Sequence, residues 1–319
     1  MMRKALSLAA GFVLCAALVL PVTAAADNWN DPVPPQALQM IQQINARLEA
    51  SGSPLRLTEA SFFTLGRGVN SFRLLRIGSR WTTGNLTYVL DESDYTVDVP
   101  ASQVDATMTS AYDSWDNIAN TTLSLSRVAD DGGNHDILDA IVLNGAGQCV
   151  DIVDTTSPNL TFYDPTTGAL ALNPEADIVV GGWLPSAYFS NCLGSASILG
   201  ITWGFSTGAD SNGDNYPDHV YVEQYYNEGF QWTTTDSVYL SFTAPMDIES
   251  VAVHENGHAL GLDHFGGPNP NQPFVVQPNG KVFDPEAVMN AFYLGGDDKR
   301  TPLGTDRAAL RTLFARKGN

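Results

Sequence analysis

The chain has 319 residues, 44% of them hydrophobic, enough for one sizeable core or two modest ones. Its formal net charge of −19 argues against nucleic acid and anionic membrane surfaces as partners and suits a soluble extracytoplasmic protein.

The first residues set Arg3 and Lys4 before an apolar run over 5–20, then Pro21 and Ala24-Ala25-Ala26. That layout predicts a secretory signal peptide over 1–26, cleaved after Ala26, and no membrane association once it is gone. A membrane anchor is the competing reading, but Gly11 and several small residues interrupt the run. Cys15 would leave with the signal, which leaves Cys149 and Cys192. In an oxidising compartment such a pair predicts one disulfide, worth about 4 kcal/mol in the chain-entropy model; two buried thiols are the alternative.

Residues 27–80 differ in composition from the rest. Ala37, Met40, Ile41, Ile44 and Leu48 recur at helical spacing, ended by Gly52 and Pro54. Arg47, Arg56, Arg67, Arg73, Arg76 and Arg80 outnumber Asp27, Asp31, Glu49 and Glu59, whereas 81–319 is strongly acidic. A basic segment beside an acidic body predicts a pro-segment or a docked extension over 27–80.

Beyond Trp81, alternation of Leu86, Tyr88 and Leu90 predicts a half-buried strand. Val104, Met108, Ala111, Tyr112, Trp115 and Ile118 follow a 3.6-residue period, a helix with one buried face. Leu123 to Leu125, the stretch 137–143 and Ala176 to Val180 read as further strands. About 65 residues then precede the next strong signal, counted from Val180 to Asp247. Among them Asp210, Asn212, Asp214 and Asp218 space oxygen side chains in the manner of half a calcium loop, so Ca2+ is a candidate ligand there. Tyr221 stands where an EF-hand needs Glu, and a solvated Asn/Asp/Gly turn is the alternative. The outlying His135 and His219 read more simply as surface or hydrogen-bonded histidines than as a second zinc site.

The strongest signal is His254-Glu255-Asn256-Gly257-His258-Ala259-Leu260-Gly261-Leu262-Asp263-His264. Residues four apart share a helix face, so His254 and His258 can present ring nitrogens to one ion. Gly261 lets the chain leave the helix with positive φ and return His264 as a third ligand. Three imidazoles favour zinc and leave a fourth position for water, with Glu255 beside the first ligand as general base. Chance yields this full pattern about 10⁻⁶ times in a chain of this composition. A closed structural zinc site has no use for Glu255. Asp247 is the candidate N-cap of this helix. A Pro/Gly/Asn-rich loop follows over 266–281, and Asp306, Leu310, Leu313 and Phe314 predict a closing helix starting at Thr305 or Asp306.

This stretch resembles the signature of the metzincin zinc endopeptidases, and Glu286-Ala287-Val288-Met289-Asn290 is similar to their Met-containing turn. Gly261-Leu262-Asp263-His264-Phe265 and Val288-Met289-Asn290 stand nearest to the matrixin branch. The resemblance implies an α+β catalytic domain over 81–319. It would have a twisted, mixed, mostly parallel sheet, an active-site helix below the cleft and a C-terminal helix. It also implies one catalytic Zn2+, hydrolysis of peptide bonds in a protein or peptide substrate, and a strand at 176–180 forming the upper rim of the cleft. Matrixins hold latency through a propeptide cysteine, and 27–80 contains none, so any latency works otherwise. Tyr293 follows Met289 at a spacing unlike that of the family's oxyanion tyrosine and is given no role. The expectation is a secreted, monomeric zinc endopeptidase. The alternatives are a catalytically silent, metal-stabilised binding module and a metallohydrolase of non-peptide substrates.

Overall fold

The computed structural model describes residues 34–50, 52–65, 72–73, 80–132, 144, 146–147, 149, 176–235, 240–264, 275–276, 282–283, 287–290 and 292–315. The signal peptide, the strand read at 137–143, His135 and most of the loop 266–281 lie outside them. In chain order the elements are α1 (Pro35–Ala50), β1 (Arg56–Leu65), β2 (Phe72–Arg73), β3 (Asn85–Leu90), α2 (Ala101–Asp116), β4 (Ser124–Arg127) and β5 (Ile178–Leu184). A π-helical turn (Tyr188–Cys192), β6 (Ile198–Ser206), β7 (His219–Asn227), β8 (Trp232–Thr233), β9 (Met246–Asp247) and α3 (Ile248–Ala259) follow. The chain closes with β10 (Val275–Val276), β11 (Val282–Phe283), β12 (Phe292–Tyr293) and α4 (Gly304–Leu313).

The fold is α+β, built on a mixed sheet ordered β12-β1-β6-β7-β5-β3-β4, with β2 also paired to β1. Strands β4, β3, β5 and β7 run parallel to one another, while β6 is antiparallel to both β7 and β1. Every residue of β5 and β6 is buried, as expected for strands covered on both faces. One face packs on α2 and α3 through Met108, Tyr112, Trp115, Val251 and Ala252. The other packs on α1 and the π-helical turn through Ile41, Ile44, Phe62, Ile201, Trp203 and Phe189.

One feature of this order differs from the sequence reading. The strand read at 176–180 does not form a rim: β5 lies between β3 and β7, and its backbone is paired on both sides. The reason lies in the long stretch before α3, which folds into the β6–β7 hairpin and extends the sheet past β5. The described residues of 27–80 belong to the sheet and to its cover. Helix α1 covers one sheet face, and β1 is an inner strand between β6 and β12.

The predicted Cys149–Cys192 disulfide is present, with Cα atoms 5.2 Å apart and 43 residues of separation. Loop-closure entropy for that span gives about 4 kcal/mol, or roughly 10 °C in Tm for a chain of this size. Melting the oxidised protein beside a Cys149→Ser/Cys192→Ser variant measures this; equal melting temperatures would mean the bridge adds no stability.

Candidate metal centre

Helix α3 starts where the sequence predicted. Asp247 caps it, its carboxylate accepting the Ser250 N–H at 2.9 Å and the Ser250 hydroxyl at 2.6 Å. Arg300 donates to the same carboxylate from Nε at 2.9 Å and from a terminal nitrogen at 2.8 Å, which ties the segment after β12 to the helix start. Nearly every residue of α3 is buried, so the helix is a core element rather than an amphipathic surface one.

The helix ends as its sequence requires. Gly261 adopts φ +92°, the Leu262 N–H donates to the Gly257 carbonyl at 2.9 Å, and the Gly261 N–H donates to the His258 carbonyl at 2.8 Å. This is a Schellman ending, and it turns the chain back so that His264 meets the helix face. The Nε2 atoms of His254, His258 and His264 then lie 3.0–3.1 Å from one another.

The donor chemistry tests whether an ion fits. His254 Nδ1 lies 2.7 Å from the Val288 carbonyl and His258 Nδ1 2.8 Å from the Leu262 carbonyl, so in both rings the proton sits on Nδ1. Their Nε2 lone pairs then face one another, an arrangement that a shared cation satisfies and a hydrogen bond does not. Burial, and next the neighbouring His258, holds His254 and His264 well below the usual histidine range, in the neutral ligand form. Among the described residues these three histidines are the one group of three or more metal-capable side chains that converges.

Glu255 is fully buried beside them. Its Oε2 accepts from the Thr202 hydroxyl at 2.5 Å, while Oε1 has no hydrogen-bond partner. Burial pushes the carboxyl up to about 8, against the lowering effect of Thr202. A raised carboxyl with one oxygen unengaged is equipped to accept and release a proton near neutrality. Gly200 on β6 makes the room for it: a Cβ there would lie 2.6 Å from Oε1 and 2.9 Å from Cγ. Gly200→Ala is therefore expected to push the carboxylate out of place and lower any hydrolysis about 100-fold at unchanged metal content. Equal rates would mean that Glu255 adapts without loss.

Met289 is fully buried, and its sulfur packs against the bare Cα of Gly257 on α3. Asp306, at the start of α4, holds this turn by accepting the Val288 N–H at 3.0 Å, the Met289 N–H at 3.2 Å and its own helix's Leu303 N–H at 2.8 Å. Tyr293 points elsewhere: its hydroxyl, pushed up by burial, accepts the Asp247 N–H at 3.4 Å.

The sequence reading found the three histidines, Glu255, Gly261 and Met289. It missed the partners, Thr202, Gly200 and the Val288 carbonyl, and saw in Asp306 only a helix start. His219 is neither a surface residue nor a member of the triad. It is buried on β7, with Nε2 3.2 Å from Glu59 on β1.

Asp210, Asn212, Asp214 and Asp218 lie in the β6–β7 connection, where they order the turn. Asp210 accepts the Gly213, Asp214 and Asn215 N–H groups, Asn212 that of Asp214, Asp214 that of Tyr216, and Asp218 that of Ser211. The calcium reading thus continues to rest on spacing alone.

Among the described residues no helix is long and apolar enough to cross a membrane. A scan against protein-family models finds no match to this chain, and a search of curated proteins finds none.

Proposed function

We propose that the chain is an exported, monomeric zinc endopeptidase of metzincin type that hydrolyses peptide bonds in extended protein segments. The observation that carries this reading is the convergence of three neutral imidazole Nε2 atoms beside a buried glutamate with one oxygen unengaged. His254, His258 and His264 would hold the ion, and nitrogen donors of this kind favour zinc. Zinc on such ligands supplies a lowered water pKa, near 7, and polarisation of a carbonyl. Glu255 takes a proton from the attacking water as the C–O bond forms. It returns that proton to the amine nitrogen as the C–N bond breaks, so the water oxygen ends in the new carboxyl group. Thr202 holds Glu255 Oε2 and leaves Oε1 to carry the proton.

A metal-stabilised binding module is the second reading, favoured by the full burial of His254 and Glu255. Casein digestion by the purified protein with and without a zinc chelator separates the two. The expected result is cleavage that stops on chelation and returns with added zinc. Full zinc content with no cleavage, once β1 has been loosened as described below, would overturn the peptidase reading.

A further inference from the structure

A hydrolytic metal site needs a position open to water and substrate, and here His254 and Glu255 have no exposed surface and His258 has 5%, while His264 alone of the three ligands is partly exposed. The cover is β1. The Phe63 ring stacks flat on His254, with centroids 3.6 Å apart and planes 12° apart. Phe63 is also the register partner of Gly200, the residue whose bare Cα abuts Glu255. Two and four residues back, Ser61 and Glu59 line a cavity of only about 10 Å³ together with His258, Thr202 and His219. That is room for one water between β1 and the His258 side of the centre.

Strand β1 also occupies the backbone edges that flank the centre. On one side it pairs antiparallel with β6, from Arg56 opposite Ser206 to Thr64 opposite Ile198. On the other, Thr64 and Leu65 pair in parallel with Phe292 and Tyr293 of β12, three residues beyond Met289. Without β1, β6 and β12 would present unpaired strand edges on either side of the histidines, the arrangement that recruits an extended peptide by strand addition. The strand is delivered as part of a helix–strand unit. Asn45 of α1 both accepts the Leu57 N–H at 2.7 Å and donates to the Leu57 carbonyl at 3.0 Å, while Glu59 engages His219.

We propose that Arg56–Leu65 is the resident occupant of the site's own peptide groove, an autoinhibitory strand that leaves the space between β6 and β12 before an external peptide enters. The incoming peptide takes the same extended form and sets a bulky apolar side chain over His254, where Phe63 now lies. This rests on the peptidase reading for what happens after entry, but not for the displacement itself.

The test uses the zinc-loaded full chain in three forms: native, Phe63→Ala, and Arg56→Cys/Ser206→Cys, whose Cα register partners lie within disulfide reach. Two readouts are taken, the anisotropy of a fluorescein-tagged synthetic peptide of sequence Arg56–Leu65 and the hydrolysis of a fluorogenic apolar peptide. Phe63→Ala is expected to bind the tagged peptide at least ten-fold more tightly than the native chain and to hydrolyse the substrate at least ten-fold faster. The oxidised double-cysteine form is expected to bind the tagged peptide and hydrolyse the substrate at least ten-fold less than the native chain, and to recover native behaviour on reduction by a phosphine that is also given to the native control. Should Phe63→Ala fail to fold, the oxidised and reduced double-cysteine forms still decide the matter. Tagged-peptide binding that is the same in all forms overturns the proposal. Binding that tracks the strand with no hydrolysis in any form upholds the strand's role and overturns the peptidase reading. Hydrolysis equal in the oxidised and native forms does the reverse.

Discussion

Glu255→Gln is expected to lower peptide hydrolysis by roughly 10²–10⁴-fold while zinc content stays at the native level. The amide keeps the size and the Thr202 contact of the carboxylate but cannot accept a proton from water, so the loss belongs in kcat. A parallel loss of zinc would mean that the side chain acts by supporting the ligands. The substitution also has a thermodynamic side in the chelated protein. There the folded-state carboxyl sits near 8, above its usual value of 4.5, because burial penalises its charge. A raised acid contributes stability that is fully present below the unfolded pKa and lost as pH rises through the folded pKa. The lowered His254 and His264 add stability to both chelated proteins as pH rises, so the effect of Glu255 is read as a difference: chelated native protein is expected to lose a few kcal/mol relative to chelated Glu255→Gln between about pH 4.5 and 8. Denaturant melts at pH 5 and pH 8 measure the difference; a parallel pH dependence in both proteins would remove Glu255 as the cause.

The parts of the centre that were legible in the sequence are those fixed by local geometry. His254 and His258 are one helical turn apart, and Gly261 must adopt a conformation that few other residues tolerate, so the spacing alone announces the triad. Strand β3 and helix α2 were legible for the same reason, their apolar periods matching the faces they bury. What escaped was pairing across long separations. Nothing near Thr202 in the chain says that its hydroxyl meets Glu255, 53 residues away. The edge reading of β5 failed because strand order depends on the β6–β7 hairpin, whose fully buried strands carry no alternation. Strand β1 was missed in an arginine-rich segment read as a pro-segment or docked extension, although Phe62-Phe63-Thr64-Leu65 is a run of aromatic, β-branched and apolar residues suited to a buried strand.

Asp306→Ala is expected to damage both the fold and the metal centre from one position. The carboxylate is fully buried and accepts three backbone N–H groups, those of Val288, Met289 and Leu303. Alanine leaves all three without that acceptor, and at 1–3 kcal/mol for each buried orphan, partly relieved by relaxation, a loss of about 3–5 kcal/mol follows. The Val288 peptide is the link to the ion: its N–H is held by Asp306, and its carbonyl receives the His254 Nδ1 proton at 2.7 Å. That hydrogen bond fixes the tautomer and orientation of the first histidine, and loosening such a support costs about 10–100-fold in metal affinity. Asp306→Asn, which keeps one oxygen in place, should fall between the two. Zinc affinity measured by competition with a chromophoric chelator, beside thermal melts of the chelated proteins, separates the two effects. A melting temperature that falls while zinc affinity stays native would make Asp306 a brace for α4 alone. A fall in both would join the closing helix, through one peptide unit, to the first imidazole of the metal site.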